Sequence, residues 1–297
     1  MSKELARDLI AAGVHFGHAV SRWNPKMEPY VFGKRGMIHI IDVKETLKGL
    51  LIAKRLLADV VSSGKDVVFV GTKRQAQKAV VKAAEKCGMH YVSQRWLGGM
   101  LTNFRTIRSR LQRLEELEKL QASGKFDAES KKQASRLKRE MHKILVNLGG
   151  VRKMNRLPGV LVVVDARKEI TALREAAKLG VATVGIIDTD SDPDLVDVAI
   201  PANDDSIKAI DILLAELADA VALGKTMVRT APSAAAMPGR GRSRRRALAS
   251  AMAEVEEEPA EAPITEEPAE TADETQTVAV ESGDPEGGGA PQDDSGQ

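Results

Sequence analysis

One cysteine, Cys87, stands in a chain of 297 residues. A single thiol excludes an internal disulfide framework and any thiolate zinc cluster. It closes a helical pattern of polar and apolar residues, where a buried, neutral thiol is expected rather than a nucleophile. Long apolar runs are missing as well: none approaches the roughly 18 residues of a membrane-spanning helix. The opening Met1-Ser2-Lys3-Glu4 has neither the apolar stretch nor the small-residue cleavage site of a secretory leader. These absences predict a cytoplasmic protein with no membrane partner. Aromatics make up only 3% of the chain, which argues against extended stacking platforms for single strands. No nucleophile elbow, His-Glu-x-x-His or Ser/His/Asp arrangement is present, so the chain reads as not an enzyme.

Cations are absent from the last part of the chain, and this hides a strong asymmetry. The formal net charge of +2 combines a body of 253 residues at +17 with a remainder at −15 that begins at Glu254. A strongly basic body poor in aromatics fits a polyanionic partner recognised by phosphate contact and shape. From Glu254 onward the composition is Glu-, Pro- and Ala-rich, too poor in apolar side chains to offset ordering entropy. Three segments follow: an α/β domain over 1–228, a basic linker over 229–253 and a disordered acidic tail over 254–297. The linker holds Arg240, Arg242, Arg244, Arg245 and Arg246.

Between residues 37 and 223, short apolar runs alternate with amphipathic helical patterns. Strands are expected at 37–41, 66–70, 90–93, 159–164, 183–187 and 198–200. Helices are expected at 43–62, 74–86, 169–179 and 206–223. Buried strands alternating with helices imply parallel pairing through right-handed crossovers, hence a doubly wound α/β domain with a mostly parallel sheet. Residues 21–35, with Pro25, Pro29 and Gly33, are expected to be irregular. One insertion breaks the alternation at 102–148. Ile107, Leu111, Leu114, Glu118 and Gln121 mark one stripe, with Leu117 and Leu120 beside it, and Leu137, Met141, Ile144 and Leu148 mark another. These narrow seams predict an antiparallel coiled-coil hairpin, protruding because its other faces are charged.

Three strings carry candidate chemistry. Gly71-Thr72-Lys73-Arg74 lies between a strand and a helix, where backbone amides and two cations could hold a phosphate. It matches no nucleotide-loop fingerprint, and a purely structural turn is an equal reading. Arg95-Trp96-Leu97-Gly98-Gly99 permits a tight turn, with Trp96 and Leu97 packed on the sheet and Thr102 or Asn103 capping the next helix. The early loop interleaves Arg22, Lys26, Lys34 and Arg35 with Trp23, Tyr30 and Phe32. Arg95, Arg105 and Arg108 give the exit of the Trp96 turn a positive face, and the residues expected to contact nucleic acid are Arg22, Lys26, Lys34, Arg35, Lys73, Arg74, Arg95, Arg105 and Arg108. Acidic residues recur at the strand ends: Asp165, Asp188, Asp190, Asp204 and Asp205. His18 could join Asp188 and Asp204 in a nitrogen-plus-oxygen zinc site, although helix caps account for several of these carboxylates. No cofactor is required on this reading. An α/β enzyme or ligand-binding regulator using the strand-end carboxylates is the alternative.

Several strings resemble the bacterial small-subunit ribosomal protein S-two family. They are Leu9 through His18, Trp23 through Met27, Phe69 through Arg74 and Arg95 through Asn103. Leu157-Pro158-Gly159, Asp188 through Pro193 and Asn203 through Ile207 continue the series, so the resemblance covers residues 3–226 in order. It implies a Rossmann-like or flavodoxin-like domain with a projecting hairpin, assembled on 16S ribosomal RNA beside other small-subunit proteins. It also implies a part in recruiting the messenger-binding ribosomal protein S-one, and a chain that is not a homo-oligomer in its working state. The extension after residue 228 departs from the family pattern, so no role carries over to the arginine cluster or the acidic tail.

Overall fold

In the computed structural model the described residues are 2–124 and 130–228. The expected basic linker and acidic tail lie outside them, as does Lys125, the last residue of the string Gln121-Ala122-Ser123-Gly124-Lys125 expected to reverse the chain between the two hairpin helices. Helix α1 (Ser2–Ala11) precedes strand β1 (Phe16–Ala19), two 3-10 turns (Val20–Arg22 and Pro25–Tyr30), and strands β2 (Val31–Arg35) and β3 (Ile38–Ile41). These strands form a small antiparallel sheet in the order β1-β3-β2. The sequence reading of 21–35 as irregular therefore missed β2. Gly33 follows a bulge in the ladder, and Gly36, at φ +63°, makes the hairpin turn. Both glycines shape a strand pair rather than end one.

The main sheet has five strands, all parallel, in the order β5-β4-β6-β7-β8. They are β4 (Val67–Val70), β5 (His90–Val92), β6 (Val160–Val164), β7 (Ala182–Ile187) and β8 (Val198–Pro201). Every residue of β4, β6 and β7 is buried, as expected for strands covered on both faces. Side-chain alternation divides them between two cores. Val67, Phe69, Val160, Val162 and Val184 point to one layer, and Val68, Val70, Leu161, Val163 and Ile187 to the other.

The first layer is α2 (Val43–Ser62), α3 (Gln77–Cys87) and the long α7 (Ile207–Val228). Asp42 caps α2 by accepting from the Lys44 amide at 2.8 Å. Leu50, Ala53, Leu56, Leu57, Val60 and Val61 then form its buried stripe. Gly49 lets this helix reach the sheet, because a Cβ there would lie 2.3 Å from the Ala199 carbonyl oxygen. Cys87 is 5% exposed, and burial pushes its thiol pKa up, which keeps it neutral.

The second layer holds α6 (Ile170–Leu179), the Trp96 turn and the bases of α4 (Phe104–Ala122) and α5 (Lys131–Leu148). Ile107, Leu111 and Leu148 belong to this core. Farther along, α4 and α5 pack side by side, with Leu114 and Leu117 fully buried. Leu117 takes the place that the sequence stripe gave to Glu118. The Glu118 carboxylate instead holds Arg152 through two hydrogen bonds of 3.0 and 2.7 Å. No helix among the described residues is long and apolar enough to cross a membrane.

Candidate functional site

Parallel strands bring their carboxyl ends to one edge, and three of the loops there carry the recurring aspartates. Asp165 follows β6, Asp188 and Asp190 follow β7, and Asp204 and Asp205 follow β8. β1 adds His18. Gly17 allows this approach, since a Cβ at that position would lie 2.6 Å from Thr189 Cγ2. The His18 amide donates to Thr189 Oγ1 at 2.9 Å. His18 Nδ1 lies 2.8 Å from Asp188 Oδ2, and Nε2 lies 3.4 Å from Asp205 Oδ2. Contact with Asp188 holds the imidazole pKa up at about 9, although burial opposes protonation.

Lys73, from the loop after β4, is the hub of this edge. Its Nζ lies 2.7 Å from Asp204 Oδ1, 2.6 Å from Asp205 Oδ1 and 3.8 Å from Asp165 Oδ2. Asp204 is 1% exposed, and burial lifts its pKa to about 7 despite the ammonium. Asp165 has φ +69°, a left-handed conformation unusual for an aspartate. Its Oδ1 accepts from the Lys168 amide at 2.9 Å. His18, Asp188 and Asp204 together present one nitrogen and two oxygens, all within 4.8 Å of one another. That donor set suits zinc, while the Lys73 ammonium already pairs with one of its carboxylates, Asp204.

The crevice between β4 and β6 is the topological switch point, where doubly wound proteins usually bind a ligand. Here Glu169, only 3% exposed, reaches into it. Its Oε1 accepts from the Thr72 amide at 3.1 Å and from the Thr72 hydroxyl. Burial pushes its pKa up, against the hydrogen bonds from Thr72. Lys168 Nζ donates to the Thr72 carbonyl at 3.2 Å. An internal carboxylate thus takes the amide that a phosphate would use at the Gly71 loop. Beside it lies an open polar crevice of about 840 Å³, lined by Ser21, Arg22, Asp165, Arg167, Lys168 and Asp190.

A second buried carboxylate organises the Arg95–Asn103 turn. Glu175 projects from α6 and is 8% exposed. Its Oε1 accepts from Trp96 Nε1 at 3.1 Å and from the Gly99 amide at 2.7 Å. Its Oε2 accepts from the Leu101 amide at 3.0 Å and from the Thr102 amide and hydroxyl, each at 3.1 Å. Burial alone would raise its pKa. The converging donors of Thr102, Gly99, Trp96 and Leu101 outweigh burial and hold it below the ordinary glutamate value. Asn103 occupies the cap position of α4, but its Oδ1 accepts from the Thr106 hydroxyl at 2.8 Å rather than from a backbone amide. The sequence reading missed both glutamates. The signal for Glu175 was present: an acid set between Leu173 and Ala176, within the apolar face of its helix.

The nine expected cations divide into two groups. Lys26 pairs with Asp192 at 2.9 Å and Asp194 at 2.6 Å, and Lys73 is enclosed by the aspartates described above. Arg108 donates to the Met154 carbonyl at 3.2 Å and to Asn155 Oδ1 at 2.7 Å. The other six, Arg22, Lys34, Arg35, Arg74, Arg95 and Arg105, are exposed and make no ion pair with a described residue. Trp23 is anchored, stacked on His39 with ring centroids 4.9 Å apart. Lys34 Nζ lies 6.0 Å from the Trp23 ring.

These features define a doubly wound α/β protein whose switch-point loop amide is taken by its own Glu169, and six of whose candidate cations make no ion pair among the described residues. A family-wide sequence profile described as Ribosomal protein S2 matches residues 9–224. The chain is 55% identical over 240 residues to the small ribosomal subunit protein uS2 of Rhodopirellula baltica, covering 80% of this chain and 92% of that protein. The chain belongs to the ribosomal protein S2 family.

Proposed function

We propose that this protein is a structural, noncatalytic constituent of the small ribosomal subunit that binds 16S ribosomal RNA. The observation that carries this reading is the division of charge. Acidic strand ends hold Lys73 internally, and six exposed cations are left without an ionic partner among the described residues. Exposed arginines and lysines bind phosphates with counterion release, so the association is salt-dependent. RNA shape and junctions supply specificity. The domain spans 1–228 and works as one copy per subunit in the cytoplasm, among neighbouring small-subunit proteins. Its α4–α5 pair projects as an antiparallel coiled-coil hairpin, and the assembled surface helps recruit the messenger-binding protein S-one. Sedimentation of a native lysate at low magnesium tests this. Migration with the small subunit that survives moderate salt is expected. Recovery only at the top of the gradient, with ribosomes intact, would overturn it in favour of an α/β ligand-binding enzyme or regulator.

The edge trio supports a second element of the proposal. His18, Asp188 and Asp204 form a cation site for zinc, carried by their convergence within 4.8 Å. The metal would tie β1 to the loops after β7 and β8, with no part in catalysis. Elemental analysis of protein purified without chelator should give about one zinc per chain, lost in His18→Ala. Metal-free protein of unchanged stability after zinc addition would sink this reading.

A further inference from the structure

We infer that Phe32 is an RNA base-stacking residue, presented by the β2–β3 hairpin to an unpaired base; this rests on the RNA-binding reading above. Phe32 is 78% exposed, the highest value among the exposed large apolar residues of the described chain. A phenylalanine left in water forgoes a large burial gain, and this chain has only five phenylalanines. The backbone is arranged to place it there. Val31 pairs with Ile41 and Gly33 with Ile40, so two steps along β2 match one step along β3. Phe32 is the extra residue of that bulge, a device that re-aims a side chain out of the ladder.

The surroundings select the partner. Lys34 and Arg35 follow in the same strand, both exposed. No acidic residue occurs between Glu28 and Asp42. An aromatic face flanked by cations, with no neighbouring carboxylate along the strand, fits a base and its phosphates better than a protein surface. Phe32 itself is left uncovered by the rest of the described chain, and a Cβ at neighbouring Gly33 or Gly36 would likewise meet nothing within 4 Å. The hairpin is held in place, through the Trp23–His39 stack and a Val20 amide to Met37 carbonyl bond of 3.0 Å. Little ordering entropy is therefore left to be lost on contact. Scarcity of aromatics excludes an extended stacking platform, but one residue in an electropositive hairpin suffices for one base.

The test uses the full chain and small subunits depleted of the resident protein. Affinities of the parent, Phe32→Ala, Phe32→Leu and Phe32→Trp are compared across a salt series, with ultraviolet crosslinking and mass spectrometry to locate adducts. Phe32 is exposed, so all variants should keep the parent melting temperature. The expected result is a loss of about ten-fold or more for Phe32→Ala and Phe32→Leu, recovery in Phe32→Trp, and a nucleotide adduct at Phe32 in the parent. The salt slope should not change, because no phosphate contact is removed. Equal binding by all four chains, or full recovery by leucine, would overturn the inference. So would a peptide adduct at Phe32 in place of a nucleotide, which would make the hairpin a protein-docking element. Failure of the parent itself to bind would instead refute the RNA-binding reading.

Discussion

Replacing Glu175 by glutamine exchanges one oxygen for an NH2 group at almost constant shape, so it isolates what the carboxylate does. Two donors converge on Oε1 and three on Oε2. The new amide can turn either way, but in each orientation its NH2 faces two N–H groups. These are Trp96 Nε1 and the Gly99 amide in one case, and the Leu101 and Thr102 amides in the other. The Thr102 hydroxyl alone can rotate to accept. Each buried donor deprived of its acceptor costs about 1–3 kcal/mol, so Glu175→Gln should destabilise the domain by roughly 2–5 kcal/mol. Urea unfolding followed by the fluorescence of Trp23 and Trp96 measures this, and faster exchange of the Gly99, Leu101 and Thr102 amides locates it. The pH dependence follows from the lowered pKa. A carboxylate with a folded pKa below its unfolded value adds stability that is complete above about pH 4.3 and is lost as pH falls through the folded value. The gap between parent and variant should therefore narrow below about pH 4.3. A variant within about 0.5 kcal/mol of the parent at neutral pH would refute the claim that these five hydrogen bonds hold the turn.

Glu169→Gln is the matched control. Both Thr72 donors fall on one oxygen, Oε1, and burial already raises the pKa of this carboxylate, so the change should cost less than about 1 kcal/mol in the same titration. Gly49→Ala should cost about 1–3 kcal/mol or more, because the new methyl meets the Ala199 carbonyl rather than a side chain able to move aside. A normal unfolding midpoint would show that α2 can shift without strain. Arg35→Gln should weaken RNA binding and lower the salt slope by about one, whereas Lys26→Gln, already paired with Asp192 and Asp194, should leave the slope unchanged. Equal slopes for the two variants would contradict the division of cations described here.

Apolar runs such as Val160–Val164 and Ala182–Ile187 could be read as buried parallel strands, because continuous hydrophobicity with intervening helical periods has few other solutions. The recurrence of aspartates at strand ends was also legible, since parallel pairing alone brings those ends to one edge, whereas His18 arrives there on β1 of the separate antiparallel sheet. Charge asymmetry pointed to a polyanionic partner, and the spaced motifs to the family. Tertiary structure decided the rest. Lys26, Lys73, Arg108 and Arg35 look alike in a sequence, yet the first three are satisfied by acids, carbonyls or an amide more than 40 residues away, and Arg35 has no such partner among the described residues. Local composition carries no record of such pairings. Strand β2 was hidden because a bulge displaces one residue and breaks the period-two pattern that would announce a strand. Glu169 and Glu175 looked like ordinary helical acids, and only packing shows that one takes the Thr72 amide at the switch point and the other fixes a turn. Sequence determines which segments must be buried and where charge accumulates; the fold determines which charges cancel, because that depends on distances set by distant parts of the chain.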